Sequence, residues 1–171
     1  KSGERGIFNR VSAQKQAAKS GRRDSDHEFG TNPCSEIILR PHQFCNLTEV
    51  VIKEHDKEED LDRKVRLATI LGTAQATLTQ FPYLRKIWQY NTQEERLLGV
   101  SLTGIMDNIH TNCNLVRMDQ RLSRLKNIAI DTNKKYARIF GIQESTAITC
   151  VKPSGTVSQL CDSASGIHAR H

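Results

Sequence analysis

The stretch FGTNPCSEIILRPHQFCNLTEVVI, residues 29–52, decides how the chain is organised. Asn32-Pro33 favours a turn, and Pro33, having no N–H, interrupts any ladder just before Cys34. Ile37, Ile38 and Leu39 form a short apolar run that Pro41 ends. NLTEVVI at 46–52 is rich in β-branched residues, so both segments read as strands. The period then changes. After the charged loop KEHDKEED (53–60), Leu61, Val65, Ala68, Leu71, Gln75 and Leu78 recur at i, i+3/i+4 spacing. That predicts a helix over 60–79 with Asp60 as its N-cap.

Working outward, FPYLRKIWQY (81–90) is apolar and aromatic, with Pro82 setting its direction. TQEE (92–95) matches a capping box, although Gly99 leaves little room for a helix behind it. GVSLTGIM (99–106) reads as a strand. A strong helix is predicted from Asp119 through Leu122, Leu125, Ile128, Ala129, Thr132, Tyr136 and Ile139, closed by Gly141. TAITCV (146–151) reads as a buried strand, followed by KPSGT (152–156). Upstream, residues 3–10 form a turn and a short apolar segment, and residues 12–28 are almost wholly polar. The latter suit one solvated helix through Gln14–Lys19 and a loop from Gly21. Strands and helices alternate, which predicts an α/β fold with parallel pairing. Four strands and two long helices are thin for an independent doubly wound sheet. Residues 1–171 are therefore expected to be an incomplete domain, a portion of a larger α/β body.

The composition narrows the classes. Of 171 residues, 37% are hydrophobic, and no run approaches the ~18 apolar residues that span a membrane. No apolar run follows the N-terminal basic residues, so no secretory signal is visible and a cytoplasmic setting is expected. Lys and Arg number 25 against 19 Asp and Glu, a net +6. The excess is local: residues 1–23, within the polar basic segment 1–28, hold seven cations and one acid, and the remainder balances. A neutral body with only 5% aromatics argues against a nucleic-acid surface. A non-catalytic piece that binds polyanions through the basic arm stays as an alternative. Five cysteines, an odd number without C-x-x-C spacing, argue against a secreted disulfide scaffold. The six histidines form no i, i+4 pair, so no metal site is predicted.

Chemistry concentrates in three places. In an extended chain Asn32, Cys34 and Glu36 would share one face, because side chains alternate with period two. An amide, a thiol and a carboxylate together suit hydrogen-atom or proton chemistry on a hydroxylated substrate. The same spacing also fits a turn whose Cys34 packs in the core with Glu36 in water. Cys45 lies eleven residues on; if 36–40 and 46–52 are adjacent strands, it returns close to Cys34, and two thiols could divide the labour. Alternatively both are ordinary core cysteines. KPSGTVSQ (152–159) leaves a strand with small residues and exposed N–H groups, an anion nest to which Ser154 and Thr156 add hydroxyls. It is not a Walker A loop, and a plain strand–turn would look the same.

Taken together, TNPCSEI, CNLTEV, GVSLTGIMD, CVKPSGTVSQL and DSASGIHAR closely resemble the catalytic chain of ribonucleotide reductases. The likeness is nearest to the adenosylcobalamin-dependent (class II) enzymes of the ribonucleoside-triphosphate type. The resemblance implies a ten-stranded α/β barrel with a central finger loop carrying Cys34 at its tip. It implies that Co–C homolysis in adenosylcobalamin yields an adenosyl radical that converts Cys34 to a thiyl, which removes the 3′ hydrogen of a ribonucleoside tri- or diphosphate. Glu36 would accept the 3′-hydroxyl proton, Asn32 would hydrogen-bond the sugar, and Cys45 would be one of two reducing cysteines. Ser154, Gly155, Thr156 and Val157 would hold the substrate phosphates. Thioredoxin or a similar dithiol would restore the cysteines. The second redox cysteine, the C-terminal shuttle cysteines and the site for allosteric deoxynucleotides are expected outside residues 1–171, and Cys113, Cys150 and Cys161 match no catalytic role. A class I, metal-radical large subunit shares the reactive Cys/Glu pair, but its redox cysteines are usually further apart.

Overall fold

The computed structural model describes residues 6–108 and 115–170. Helix α1 (Arg10–Ala18) is capped by Asn9, whose side chain accepts the Ser12 N–H at 2.9 Å. It is not fully solvated: Ala13 and Ala17 pack on Phe29, with Ile38 alongside. Strands β1 (Gly30–Thr31) and β2 (Ile38–Leu39) pair antiparallel, Gly30 with Leu39 and Thr31 with Ile38, and carry residues 32–37 as a finger between them.

Strand β3 (Asn46–Val51) runs parallel to β4 (Leu98–Thr103), in register from Asn46↔Leu98 to Val51↔Thr103. Between them lie α2 (Glu58–Gln75) and α3 (Lys86–Glu95). Helix α4 (Leu115–Phe140) follows β4 and leads to residues 146–150, which lie parallel along its other side. Thr149 bridges Val100, and the Val100 carbonyl accepts the Cys150 N–H at 3.1 Å. One sheet face meets the helices: Val50, Leu98, Val100 and Ile148 pack with Leu61 and Val65 of α2 and with Leu125 and Ala129 of α4. The parallel α/β pattern is thus present as a mixed α/β segment; the described residues do not by themselves close a barrel.

The expected buried strand 146–151 is an extended, partly buried segment joined to β4 by the single bridge of Thr149 with Val100, and three further local expectations change. Helix α2 begins at Glu58, with Lys57 at the cap position and the Asp60 carboxylate accepting the Lys57 N–H at 3.1 Å. Three acids in its first turn complement the helix dipole, so the start shifts ahead of Asp60. TQEE closes α3 rather than opening a helix, because Thr92 and Glu95 face inward and Arg96 takes the left-handed conformation. Strand β4 stops at Thr103, where Gly104 (φ 73°) turns the chain into the short 3-10 helix Ile105–Asp107. Cys113 lies outside the described residues.

Candidate active site

The finger is set by side chains more than by its two-residue strands. The Asn32 carbonyl accepts the Ser35 N–H at 3.0 Å, closing a turn with Pro33 in its second position and Ser35 at φ 64°. Asn32 Oδ1 accepts the Ile37 N–H at 3.1 Å, and Thr31 Oγ1 donates to the Ile37 carbonyl at 2.9 Å. Ile37 is 7% exposed and anchors the loop, whereas Cys34 stands exposed at the tip. The period-two alternation expected for 32–36 therefore does not hold. A turn lifts Cys34 outward while Asn32 and Glu36 stay half-buried at its base. This also removes the core-packed reading of Cys34. Glu36 Oε2 is buried without a hydrogen-bond partner, an unusual state for a carboxylate oxygen.

Cys45 does not approach the finger by strand pairing. β2 pairs with β1, and the strand after Cys45 pairs with β4. Cys45 instead sits just ahead of β3 as a free thiol, where Glu36 and Cys150 both act on it electrostatically. Burial pushes its pKa from an ordinary 9.0 to about 12; Cys150 and Glu36 add to the rise and Arg23 opposes it. Cys150 is likewise raised to about 12, by burial first and then by Glu36, with Lys152 opposing. The two thiols thus share the electrostatic field of one carboxylate. Cys150, expected from the sequence to be structural, is a free half-buried thiol on the segment beside β4 that leads into the PSGT loop.

The 152–157 loop leaves that strand under tension. Ser154 has φ 61° and Gly155 φ 47°, and the Gly155 N–H folds back on the Pro153 carbonyl at 2.7 Å. Ser154 is 3% exposed and its hydroxyl has no partner, while Gly155 and Thr156 are exposed ahead of α5 (Thr156–Leu160). The loop is tied to the sheet by Lys152, whose N–H donates to Ser101 Oγ and whose Nζ pairs with Glu49 of β3, both at 2.9 Å. The sequence did not reveal this anchor.

A second unforeseen feature lies under the finger. Arg23 makes a two-pronged pair with Glu95, Nε to Oε1 at 2.8 Å and Nη2 to Oε2 at 3.0 Å, with both side chains 4% exposed. Gln43 donates to the same carboxylate, and the guanidinium lies 4.7 Å from the Phe29 ring centre. Arg22 and Arg10 donate to the Ser145 and Phe29 carbonyls. Three cations of the expected polyanion-binding arm are therefore engaged in the fold.

Fold and site together define an α/β segment built around a turn-borne thiol, with a carboxylate and two half-buried thiols behind it. No family model matches the chain. A Dictyostelium discoideum protein described as a probable adenosylcobalamin-dependent ribonucleoside-triphosphate reductase is 31% identical over 141 residues, 82% of this chain and 18% of its own length. The adenosylcobalamin-dependent ribonucleoside-triphosphate reductase of Lactobacillus leichmannii is 29% identical over 170 residues, 85% of this chain and 22% of its own. Among solved structures, a B12-dependent (class II) ribonucleotide reductase superposes with a TM-score of 0.68 at 27% identity, over 81% of this chain and 22% of that one. The chain spans about a fifth of these relatives, and it corresponds to a segment of the class II ribonucleotide reductases.

Proposed function

We propose that this chain is the thiyl-bearing segment of an adenosylcobalamin-dependent ribonucleotide reductase, acting on ribonucleoside triphosphates. The observation that carries the reading is the finger itself: an exposed Cys34 on a turn clamped by Asn32, with the partnerless Glu36 oxygen at its base. Among the described residues, the group that suits adenosylcobalamin is the Cys34 thiol, accessible and free of any internal bond that would compete for its hydrogen. When bound, the cofactor supplies the radical chemistry. The residues of this chain then act in order. Cys34, as a thiyl, takes the 3′ hydrogen of the ribose. Glu36 accepts the 3′-hydroxyl proton by general-base catalysis, the 2′-hydroxyl leaves as water with a proton from the reducing cysteine pair, and Cys34 returns the hydrogen to the 3′ carbon once the sugar is reduced. The Asn32 amide N–H groups orient the sugar while Oδ1 remains bound to Ile37.

Cys45 gives one of the two electrons and protons that reduce the sugar, its partner being a second cysteine, and a thioredoxin-like dithiol restores the pair. The turn at Gly155 and Thr156, exposed at its crest, holds the triphosphate with the Ser154 hydroxyl and Val157, the Gly155 N–H exchanging its Pro153 carbonyl for a phosphate oxygen. This remote grip fixes the sugar at the ~3–3.5 Å separation that near-attack geometry requires. The test is Cys34→Ser in a reductase carrying this segment. Deoxynucleotide formation should vanish while nucleotide binding persists; a variant that still turns over refutes the role.

A further inference from the structure

Glycine in the middle of a strand weakens it, and commonly marks a place where another group must come close. Gly99 lies second in β4, opposite Leu47 of β3. A methyl placed on its Cα would stand 3.2 Å from Ile37 Cδ1 and 3.0 Å from Cys150 Sγ, and would overlap Leu47 Cδ2. The three neighbours come from three different parts of the chain: the finger, the 146–150 strand and β3. Leu47 is half-exposed and can swing aside. Ile37 cannot do so cheaply, since it is 7% exposed and held through both backbone groups, by Asn32 and by Thr31. Those same two residues set the turn that presents Cys34. A push on Ile37 therefore travels two hydrogen bonds to the turn.

We infer that Gly99 is a positioning residue: its bare Cα is the seat on which Ile37 rests, and that seat fixes the height and direction of the Cys34 turn. The inference deepens the proposed function and rests on it for the consequence in turnover. The geometric part can be read without any cofactor, from the alkylation rate of Cys34. A methyl at 3.2 Å asks Ile37 to give by a few tenths of an ångström, and since ~1 Å of misplacement costs about 10²-fold in rate, a smaller shift passed to the turn costs about tenfold.

The test compares Gly99→Ala, Ile37→Val, the double variant and Ile37→Ala in a reductase carrying this segment. Gly99→Ala should lower kcat about tenfold with the nucleotide KM unchanged, and should change the rate at which iodoacetamide labels Cys34. Ile37→Val removes Cδ1, the atom that meets the new methyl, so the double variant should recover most of both losses. Deleting that methyl would also relieve a loss of stability from overpacking, so the positioning role is read from the Cys34 labelling rate of the folded variants, with their urea midpoints measured alongside. Ile37→Ala unloads the same seat without adding volume and should also shift Cys34 labelling, which keeps the inference testable if Gly99→Ala folds poorly. Labelling unchanged in both Gly99→Ala and Ile37→Ala, or no recovery in the double, overturns it. If the unmodified protein reduces no ribonucleotide, the proposed function fails, while the labelling arm still judges Gly99.

Discussion

Asn32 is asked to do two jobs with one amide, and the two can be separated. Its Oδ1 accepts the Ile37 N–H at 3.1 Å, and Ile37 is buried. Removing that acceptor leaves a buried N–H unpaired, which costs about 1–3 kcal/mol. At about 1.36 kcal/mol per factor of ten, the correctly set turn loses about 5- to 150-fold in population relative to displaced ones. Asn32→Ala should therefore both loosen the finger and cut turnover. Asn32→Asp keeps the oxygen at Oδ1 and turns the Nδ2 donor proposed for the sugar into a second carboxylate oxygen, which also brings a negative charge. It should leave Cys34 labelling by iodoacetamide near the unmodified rate while lowering turnover by about tenfold, the ~1.5 kcal/mol lower bound of a hydrogen bond to a group that charges during reaction. The assays are deoxynucleotide formation by chromatography and pseudo-first-order alkylation of Cys34 followed by mass spectrometry. If Asn32→Ala leaves both rates untouched, the clamp is not what holds the turn. If Asn32→Asp alters labelling as much as Ala does, the two roles do not separate as argued.

Other consequences follow from the same geometry. Arg23→Met strands the Glu95 carboxylate, 4% exposed, and should cost about 3–5 kcal/mol, read as a lower urea midpoint; a loss within 0.5 kcal/mol, an ordinary surface value, would mean that the carboxylate finds water. Lys152→Met frees the 152–157 loop from Glu49 and should raise the nucleotide KM several-fold with kcat nearly constant, whereas an unchanged KM would detach the loop from phosphate binding. Because burial lifts the Cys45 and Cys150 thiols from 9.0 to about 12, the folded chain binds more protons than the unfolded one between those values. Stability should then be full below pH 9 and fall as pH climbs toward 12, each thiol contributing at most ~1.4 kcal/mol per pH unit; a midpoint that is flat over this range in Cys45→Ser/Cys150→Ser but falls in the parent would confirm the source, and equal slopes would reject it. Cys45→Ser should allow a single round of reduction and no sustained turnover with a dithiol; steady turnover would take Cys45 out of the redox pair.

The parallel core was legible because its signals are local and periodic. Leu61, Val65 and Ala68 announce α2, Leu125 and Ala129 announce α4, and NLTEVV reads as a strand in sequence as it does in space. The Asn32-Pro33 turn was legible for the same reason. What escaped were facts of pairing between distant residues. Nothing near Cys45 in sequence says that its strand pairs with 98–103 rather than with the finger. Nor does anything near Arg23, in a stretch that reads as a solvated arm, foretell the carboxylate 72 positions later that buries it. TQEE fails as a helix start for a related reason. Glu95 is spent on that buried pair, so tertiary contact overrides a local capping pattern. Gly99 was read only as a limit on any helix after TQEE; the reason for its size became clear once Ile37 was seen beside it.

The thiol arrangement bears on why this chemistry needs no activated cysteine. Enzymes that exchange disulfides by nucleophilic attack lower a thiol's pKa to make thiolate. Here burial does the opposite to Cys45 and Cys150, which keep their protons past neutral pH. A hydrogen atom is a proton and an electron together, so the starting state that radical reduction requires is the protonated thiol, and an environment hostile to thiolate protects it from side reactions. Glu36 strengthens that effect on both sulfurs, while one of its own buried oxygens has no hydrogen-bond partner. On the proposed function the carboxylate would serve twice, once as the base for the 3′-hydroxyl and once as a negative charge that helps keep the neighbouring sulfurs protonated. Replacing it with glutamine should lower both apparent thiol pKa values as well as slow turnover, and the alkylation rates of Cys45 and Cys150 at pH 9–10 should rise in that variant. Rates that stay put would mean that burial alone sets the thiols and that Glu36 acts only on the substrate.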